Sequence, residues 1–390
     1  MRALGLMSGT SLDGVDAALV DIRPRGDGYA LDLVRFVSEP FAPEMRERLR
    51  AALPPNAPHP AEVAALDGAL GELFDGAAKN AANGATVDYL ASHGLTLFHC
   101  GELSQTMQIG DPYRLRDTFG ASVIFDFRRA DCALGGNGAP LVPYVDAQLF
   151  ASSERDVVAL NLGGIANVTV LRRDCGPQDA IAWDTGPANM LIDAFVAGRT
   201  GGADSFDRDG ALAARGTADA HTVAELVARE AFYLALPPPK STGRERFGNG
   251  LLEAHADLFA RLSLQDGCAT LCAFTVVTIG DGLEAYGPPN ARVIASGGGT
   301  HNATLMHLLA ERLARSGCQL ERSDAYGIDP DAKEAIAFAV LGYETLRGRP
   351  ASLPGATGAR RPAVLGAIAP SGLEALLAKI REECTANDPG

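Results

Sequence analysis

Apolar residues near the start of the chain fall into three short runs separated by polar or glycine-rich punctuation. Ala3–Met7 ends at Ser8-Gly9-Thr10-Ser11, and Val15–Ile22 and Tyr29–Val37 follow with the turn Arg23–Gly28 between them. Runs of this length bounded by Gly, Pro and Asp read as strands, and three in a row make a distinctive opening. From Pro43 to Ala52 and from Pro60 to Asn83 the apolar positions shift to helical spacing. Tyr89–Ser92 then reads as a buried strand ending at His93-Gly94, and Ser122–Phe127 as another ending at Arg128-Arg129.

The second half repeats the order. Val157–Asn161 is an apolar strand running into Leu162-Gly163-Gly164-Ile165, followed by strands at Ala166–Leu171 and Ala180–Trp183 and helices from about Met190 and Thr222. Arg292–Ala295 runs into Ser296-Gly297-Gly298-Gly299-Thr300, with a helix from about Asn302. No residue-level repeat is visible, yet the elements recur, which predicts two similar α/β halves with a cleft between them. The Gly/Pro-rich stretches Ala133–Pro143 and Pro237–Asn249 are long enough to be functional loops rather than simple connections.

Composition narrows the class. The 390 residues carry 34 Lys+Arg against 48 Asp+Glu, a formal charge of −14, without a basic cluster, which argues against binding to nucleic acid or an anionic membrane. The longest weakly polar run, Cys268–Gly280, is too short to cross a bilayer, and Met1–Leu6 does not read as a signal peptide. Seven cysteines, an odd number in a long chain, point to a reducing cytoplasm rather than a disulfide framework. Cys268 and Cys272 are one helical turn apart and fit the inside of a helix better than a metal site.

Three glycine loops each follow an apolar strand. In MSGTSLDGVD (Met7–Asp16), Gly9 and Gly14 let the backbone turn while hydroxyls and N–H groups become available to phosphate oxygens, with Asp13 or Asp16 suited to Mg2+. A plain hairpin turn explains that loop equally well. NLGGIANVT (Asn161–Thr169) and ASGGGTHN (Ala295–Asn302) are placed in the same way, and three such loops are harder to explain by turn chemistry alone. Neither a GxxxxGK[ST] loop nor a GxGxxG fingerprint is present. In WDTGPAN (Trp183–Asn189), Asp184 reads either as a carboxylate capping a helix from about Ala188 or as a general base.

Taken together these segments resemble the anhydro-N-acetylmuramic acid kinases of bacterial cell-wall recycling. The likeness is carried by the motifs above, by PPPKSTGRERFG (Pro237–Gly248), and by SHG (Ser92–Gly94), QIGDP (Gln108–Pro112), DFR (Asp126–Arg128), GAPLVP (Gly138–Pro143) and VLGAI (Val364–Ile368), in order along nearly the whole chain. The chain departs from the family pattern at Leu95 and Asn137, where Gln is usual.

The resemblance implies an α/β protein of two RNase H-like lobes with the actin-like ATPase fold and an interlobe active-site cleft. The lobes would be residues 1–129 plus about 345–390, and 130–344. It implies ATP and Mg2+ as cofactors, a small-molecule sugar as substrate, a second copy of the chain as partner, and a cytoplasmic location. Asp184 is then the catalytic aspartate. Nucleotide contacts are implied at Gly9, Thr10, Ser11, Leu12, Asp13, Gly14, Val15 and Asp16, at Asn161, Gly163 and Gly164, and at Gly297, Gly298 and Gly299, with Asp13 the metal candidate. Sugar contacts are implied at His93, Arg128, Asn167 and Glu334, with Arg128 suited to a lactyl carboxylate. The lobes are expected to close about hinges near Arg129–Gly138 and Gly342–Pro350. The rivals are another sugar or acid kinase on the same fold and a nucleotide-driven binding module.

Overall fold

The first three apolar runs become strands β1 (Arg2–Ser8), β2 (Gly14–Arg25) and β3 (Gly28–Pro40), each antiparallel to the one before. The computed structural model describes every residue except Thr10, Gly26, Asp27, Pro55, Asp174, Cys175 and 387–390, and the side chains of Glu245 and Ala386. β4 (Tyr89–Cys100) joins parallel to β1, β5 (Gln105–Ile109) folds back on β4, and β6 (Ser122–Phe125) lies parallel to β4. Further along, β7 (Val157–Leu162), β8 (Ile165–Leu171) and β9 (Ile181–Pro187) form a second antiparallel triplet. β10 (Arg292–Ser296) pairs parallel to β7, β11 (Gln319–Arg322) parallel to β10, and β12 (Ala367–Ala369) closes the first sheet against β6.

The chain divides into two compact units, Met1–Leu149 with Ala332–Gly390, and Phe150–Asp331. Their sheets run β12-β6-β4-β1-β2-β3, with β5 beside β4, and β11-β10-β7-β8-β9. Two hairpin steps on one side of the first strand and parallel strands on the other occur in both units, with helices carrying the crossovers. This is the RNase H-like arrangement, present twice.

Strand alternation decides how the first unit packs. Leu4 and Leu6 enter a buried cluster with Leu66, Leu70 and Phe74 of the helix Pro60–Ala82. Gly5 points the other way, where the helix Lys333–Leu346 lies so close that a Cβ would stand 1.9 Å from the Ala335 carbonyl oxygen. At the start of that helix the Lys333 ammonium pairs with Asp146 at 2.9 Å, with the two side chains 1% and 4% exposed. These contacts correct the expected boundaries. Residues 130–149 and 332–344, assigned to the second lobe on the sequence, belong to the first unit, because sheet packing and a buried ion pair hold them there. Gly342, expected near a hinge, lies inside the same helix, where a Cβ would come within 2.8 Å of the Ala91 Cβ.

In the second unit the helix Leu264–Tyr286 begins at Ser263, whose side chain accepts from the Asp266 N–H, and it buries Cys268 and Cys272 as the sequence suggested. It extends beyond the expected Cys268–Gly280 run and is long and apolar enough to cross a membrane. Its apolar surface is instead spent inside the unit, in the cluster with Trp183, Phe195 and Leu305.

Candidate active site

Asp184 lies on β9, 8% exposed, directly opposite Asn167 of β8. Its Oδ2 accepts from the Ser241 hydroxyl at 2.9 Å and from the Thr242 N–H at 2.7 Å. Its own N–H donates to the Lys240 carbonyl at 3.0 Å, and its carbonyl accepts from the Tyr233 hydroxyl at 2.8 Å. The PPPKSTGRE loop thus wraps the aspartate with backbone and side chain together. Of the two readings of Asp184, the helix cap does not hold: the helix Asn189–Arg199 starts after Ala188, which offers no side-chain cap.

Lys240 anchors this loop. Its ammonium donates to the Tyr233 and Leu234 carbonyls at 3.1 and 2.9 Å and sits 4.7 Å from the centre of the Tyr233 ring. Burial pulls its pKa below the usual lysine range, and the negative charge of Asp184 works against that fall. The sequence marked the loop but not Tyr233, Lys240, Ser241 and Thr242 individually; the motif was the signal, and only the fold shows which of its atoms reach Asp184.

The second and third glycine loops meet. A Cβ on Gly297, whose φ is +85°, would lie 2.8 Å from both the Asn161 Oδ1 and the Leu162 carbonyl, and one on Gly299 would lie 2.7 Å from the Leu162 Cβ. Only glycine allows that approach. Gly298, by contrast, has nothing closer to its Cβ direction than the Asn189 amide nitrogen at 4.0 Å. The N–H groups of Asn189 and Met190 donate to the Gly163 and Gly164 carbonyls at 3.1 and 3.2 Å, fixing the β7–β8 turn against a helix start.

In the first unit the β1–β2 turn is closed by Ser8 Oγ donating to the Gly14 carbonyl at 2.7 Å and Leu12 N–H to the Gly9 carbonyl at 3.2 Å. Gly14 is needed because a Cβ would strike the Glu39 carbonyl oxygen at 2.1 Å, whereas Gly9 has only Ser11 Oγ nearby, at 3.7 Å. Leu12 and Val15 send their side chains into the core, which leaves only their backbone for a ligand. Thr10 lies outside the described residues. Asp13 is exposed and Asp16 half-buried. Among the described residues no group of three His, Cys, Asp or Glu side chains could hold a metal ion.

Of the other residues expected to contact a sugar, His93 and Glu334 lie near Arg128. Its Nε donates to His93 Nε2 at 2.9 Å and its Nη1 to the Gly138 carbonyl at 2.8 Å. Burial lowers the Arg128 pKa, and the charge of Glu334, in the first turn of the helix Lys333–Leu346, acts to raise it. Leu95, one of the two departures, is a core residue packed with the helix Pro60–Ala82 cluster, and Asn137 is half-buried with its N–H on the Thr357 carbonyl at 2.8 Å.

Two RNase H-like units, each with a glycine turn between its first two strands, define the class as a duplicated RNase H-like α/β protein. Within it, the family model for anhydro-N-acetylmuramic acid kinase matches residues 1–371, and the chain belongs to that family. A relative of that name from Rhodococcus erythropolis is 43% identical over 381 residues, covering 95% of this chain and 94% of its own. Another from Streptomyces avermitilis is 43% identical over 376 residues with the same coverage, and one from Salinibacter ruber is 40% identical over 387 residues, covering 95% and 96%.

Proposed function

We propose that the protein is an ATP-dependent phosphotransferase that opens the anhydro bridge of 1,6-anhydro-N-acetylmuramic acid and phosphorylates its 6-oxygen, in cytoplasmic recycling of cell-wall sugar. The observation that carries the reading is the buried Asp184 carboxylate with Oδ2 held by Ser241 and Thr242. Both of these donors sit on Oδ2 and so orient the carboxylate, and the ionised group is the form that can take a proton.

Water attacks the anomeric carbon while its proton passes to Asp184, and the bond from that carbon to the bridging oxygen breaks. The freed 6-oxygen attacks the γ-phosphorus and ADP leaves, so the products are N-acetylmuramic acid 6-phosphate and ADP. Transfer of this kind needs alignment and charge neutralisation more than covalent help from the protein. The turn Gly9–Gly14 and the loops at Asn161–Gly164 and Gly297–Gly299 are the proposed phosphate contacts, through N–H groups and the close approach glycine permits. Mg2+ fits a site with one exposed carboxylate, Asp13, because this ion is commonly held by one or two carboxylates, water and phosphate oxygens; when bound it neutralises phosphate charge. Arg128 is assigned to the lactyl carboxylate, and Asn167, opposite Asp184, to the sugar.

The test is ADP release coupled to a reporter, with the anhydro sugar compared against glucose and N-acetylglucosamine, each with and without a chelator of Mg2+. Chelator-sensitive turnover on the anhydro sugar is expected. Strong activity on plain hexoses with none on the anhydro sugar would make the protein a different kinase on the same fold.

A further inference from the structure

The resemblance implied a sugar contact at His93, but His93 is 3% exposed and both its ring nitrogens are engaged within the protein, Nε2 by Arg128 and Nδ1 by the Gly94 carbonyl. We propose that His93 is a positioning residue, a neutral imidazole that aims the Arg128 guanidinium at a carboxylate and so sets the preference for an acidic over an uncharged sugar. The proposal rests on the functional reading above and extends it to a residue that does not touch the substrate.

A guanidinium on a flexible stem has direction only if its other N–H groups are spent. Here Nε is spent on His93 and Nη1 on Gly138, and among the described residues Nη2 has no hydrogen-bond partner. Gly138 is itself fixed, because its N–H donates to Asp131 Oδ2 at 2.9 Å while Asp131 Oδ1 accepts from the Thr357 hydroxyl at 2.8 Å. The imidazole is clamped as well: Nδ1 lies 3.0 Å from the Gly94 carbonyl, and the ring packs on Phe338 with centroids 4.5 Å apart. With Nε2 accepting from Arg128, Nδ1 must carry the proton and donate to Gly94.

The neutrality of the acceptor is the central point. A carboxylate at position 93 would orient Arg128 equally well but discharge it, and would compete with the anionic substrate for the same N–H groups. An imidazole orients the guanidinium and leaves its positive charge for the ligand. Glu334, which acts from a different element, is the foremost of the groups that favour the charged guanidinium, ahead of Cys132 and Asp131. Burial first and the Arg128 charge second, with a smaller contribution from His99, push the His93 pKa well below the usual histidine range. The acceptor state therefore persists through neutral pH.

Two measurements on the full-length protein decide the matter. Nitrogen-15 NMR of the His93 ring should show one neutral tautomer, protonated at Nδ1, unchanged between about pH 6 and 9; titration in that window or the opposite tautomer would overturn the proposal. Kinetics should compare His93→Ala and His93→Gln on 1,6-anhydro-N-acetylmuramic acid and on 1,6-anhydro-N-acetylglucosamine, which lacks the lactyl carboxylate. Loss of one charge-assisted contact predicts a KM increase of about tenfold for the acidic sugar in His93→Ala, with kcat little changed. For the uncharged sugar, KM or the inhibition constant should stay within about twofold, below the effect of a lost charged contact. His93→Gln, whose amide oxygen can accept from Nε, should recover most of the loss. Equal losses on both sugars, or no recovery by Gln, would reduce His93 to packing. If the parent protein ignores the anhydro acid, the functional reading falls, and the NMR result still decides whether the His93–Arg128 pair is built as described.

Discussion

Exchanging one oxygen of Asp184 for an amide separates its two possible services, because Asn can still accept from Ser241 and Thr242 yet cannot take a proton from water. Asp184→Asn is therefore expected to fold and to bind ATP normally while kcat falls by about 10²–10⁴, the usual share of a positioned general base. Calorimetry for ATP and stopped-time ADP release check the two halves, and turnover within tenfold of the parent would make Asp184 structural. Gly9 allows an equally clean test of the first loop. Its Cβ direction is open apart from Ser11 Oγ at 3.7 Å and its φ lies outside the left-handed region, so Gly9→Val should leave the melting temperature unchanged. A branched side chain there would stand where phosphate must meet backbone, so KM for ATP should rise steeply while affinity for the anhydro sugar holds. Equal loss of both ligands would remove the phosphate role from this turn. Gly14 could not serve in the same test, since any side chain there collides with β3.

Most elements could be read from the chain because they are bounded by residues whose chemistry acts locally. The triplets β1–β3 and β7–β9, and the helix begun by Asn302 accepting from the Leu305 N–H, all rest on such signals. What escaped depends on neighbours remote in sequence. β4 continues past His93-Gly94, where the turn signal suggested an end, because the strand passes an irregularity opposite Leu6–Ser8 with Gly94 at φ +72° and then pairs with β5. Gly342 read as a hinge because glycine signals freedom when nothing is known of its surroundings. In the fold it is a contact point, with Ala91 and Tyr89 of β4 immediately beyond its Cα. Gly342→Val is accordingly expected to lift the helix from the sheet and cost about 1–3 kcal/mol of stability. A urea titration would show a lower midpoint, and an unchanged midpoint would restore the hinge. The site divides in the same way: WDTGPAN and PPPKSTGRE were visible as motifs, but the bonds from Ser241 and Thr242 to a residue nearly sixty positions earlier are products of the fold.

At the scale of the whole chain, the two units differ in how they are assembled, although their sheets share one plan. The unit Phe150–Asp331 is a single stretch with its own buried cluster, running from Val158 and Trp183 through Phe247 and Phe274 to Leu313. The other unit is completed only by residues that return after 331. Its sheet needs β12 beside β6, and the face of β1 that carries Gly5 needs the helix Lys333–Leu346 against it. Without that helix the face carrying Ala3, Val20 and Ala91 would lie open, and Asp146 would lose its lysine partner. Uncovered apolar surface and the loss of a buried ion pair are each costly on the scale of a domain's net stability. The fragment 150–331 should therefore fold alone, with a cooperative urea transition and dispersed NMR amide signals, whereas the fragment 1–149 should not. Adding a peptide spanning 332–390 to the fragment 1–149 should restore cooperative unfolding, and a version carrying Lys333→Met should restore it less well, since the buried Lys333–Asp146 ion pair would be missing. A folded 1–149 fragment, or a 150–331 fragment without a cooperative transition, would show that the boundaries at Leu149 and Asp331 do not mark independent cores.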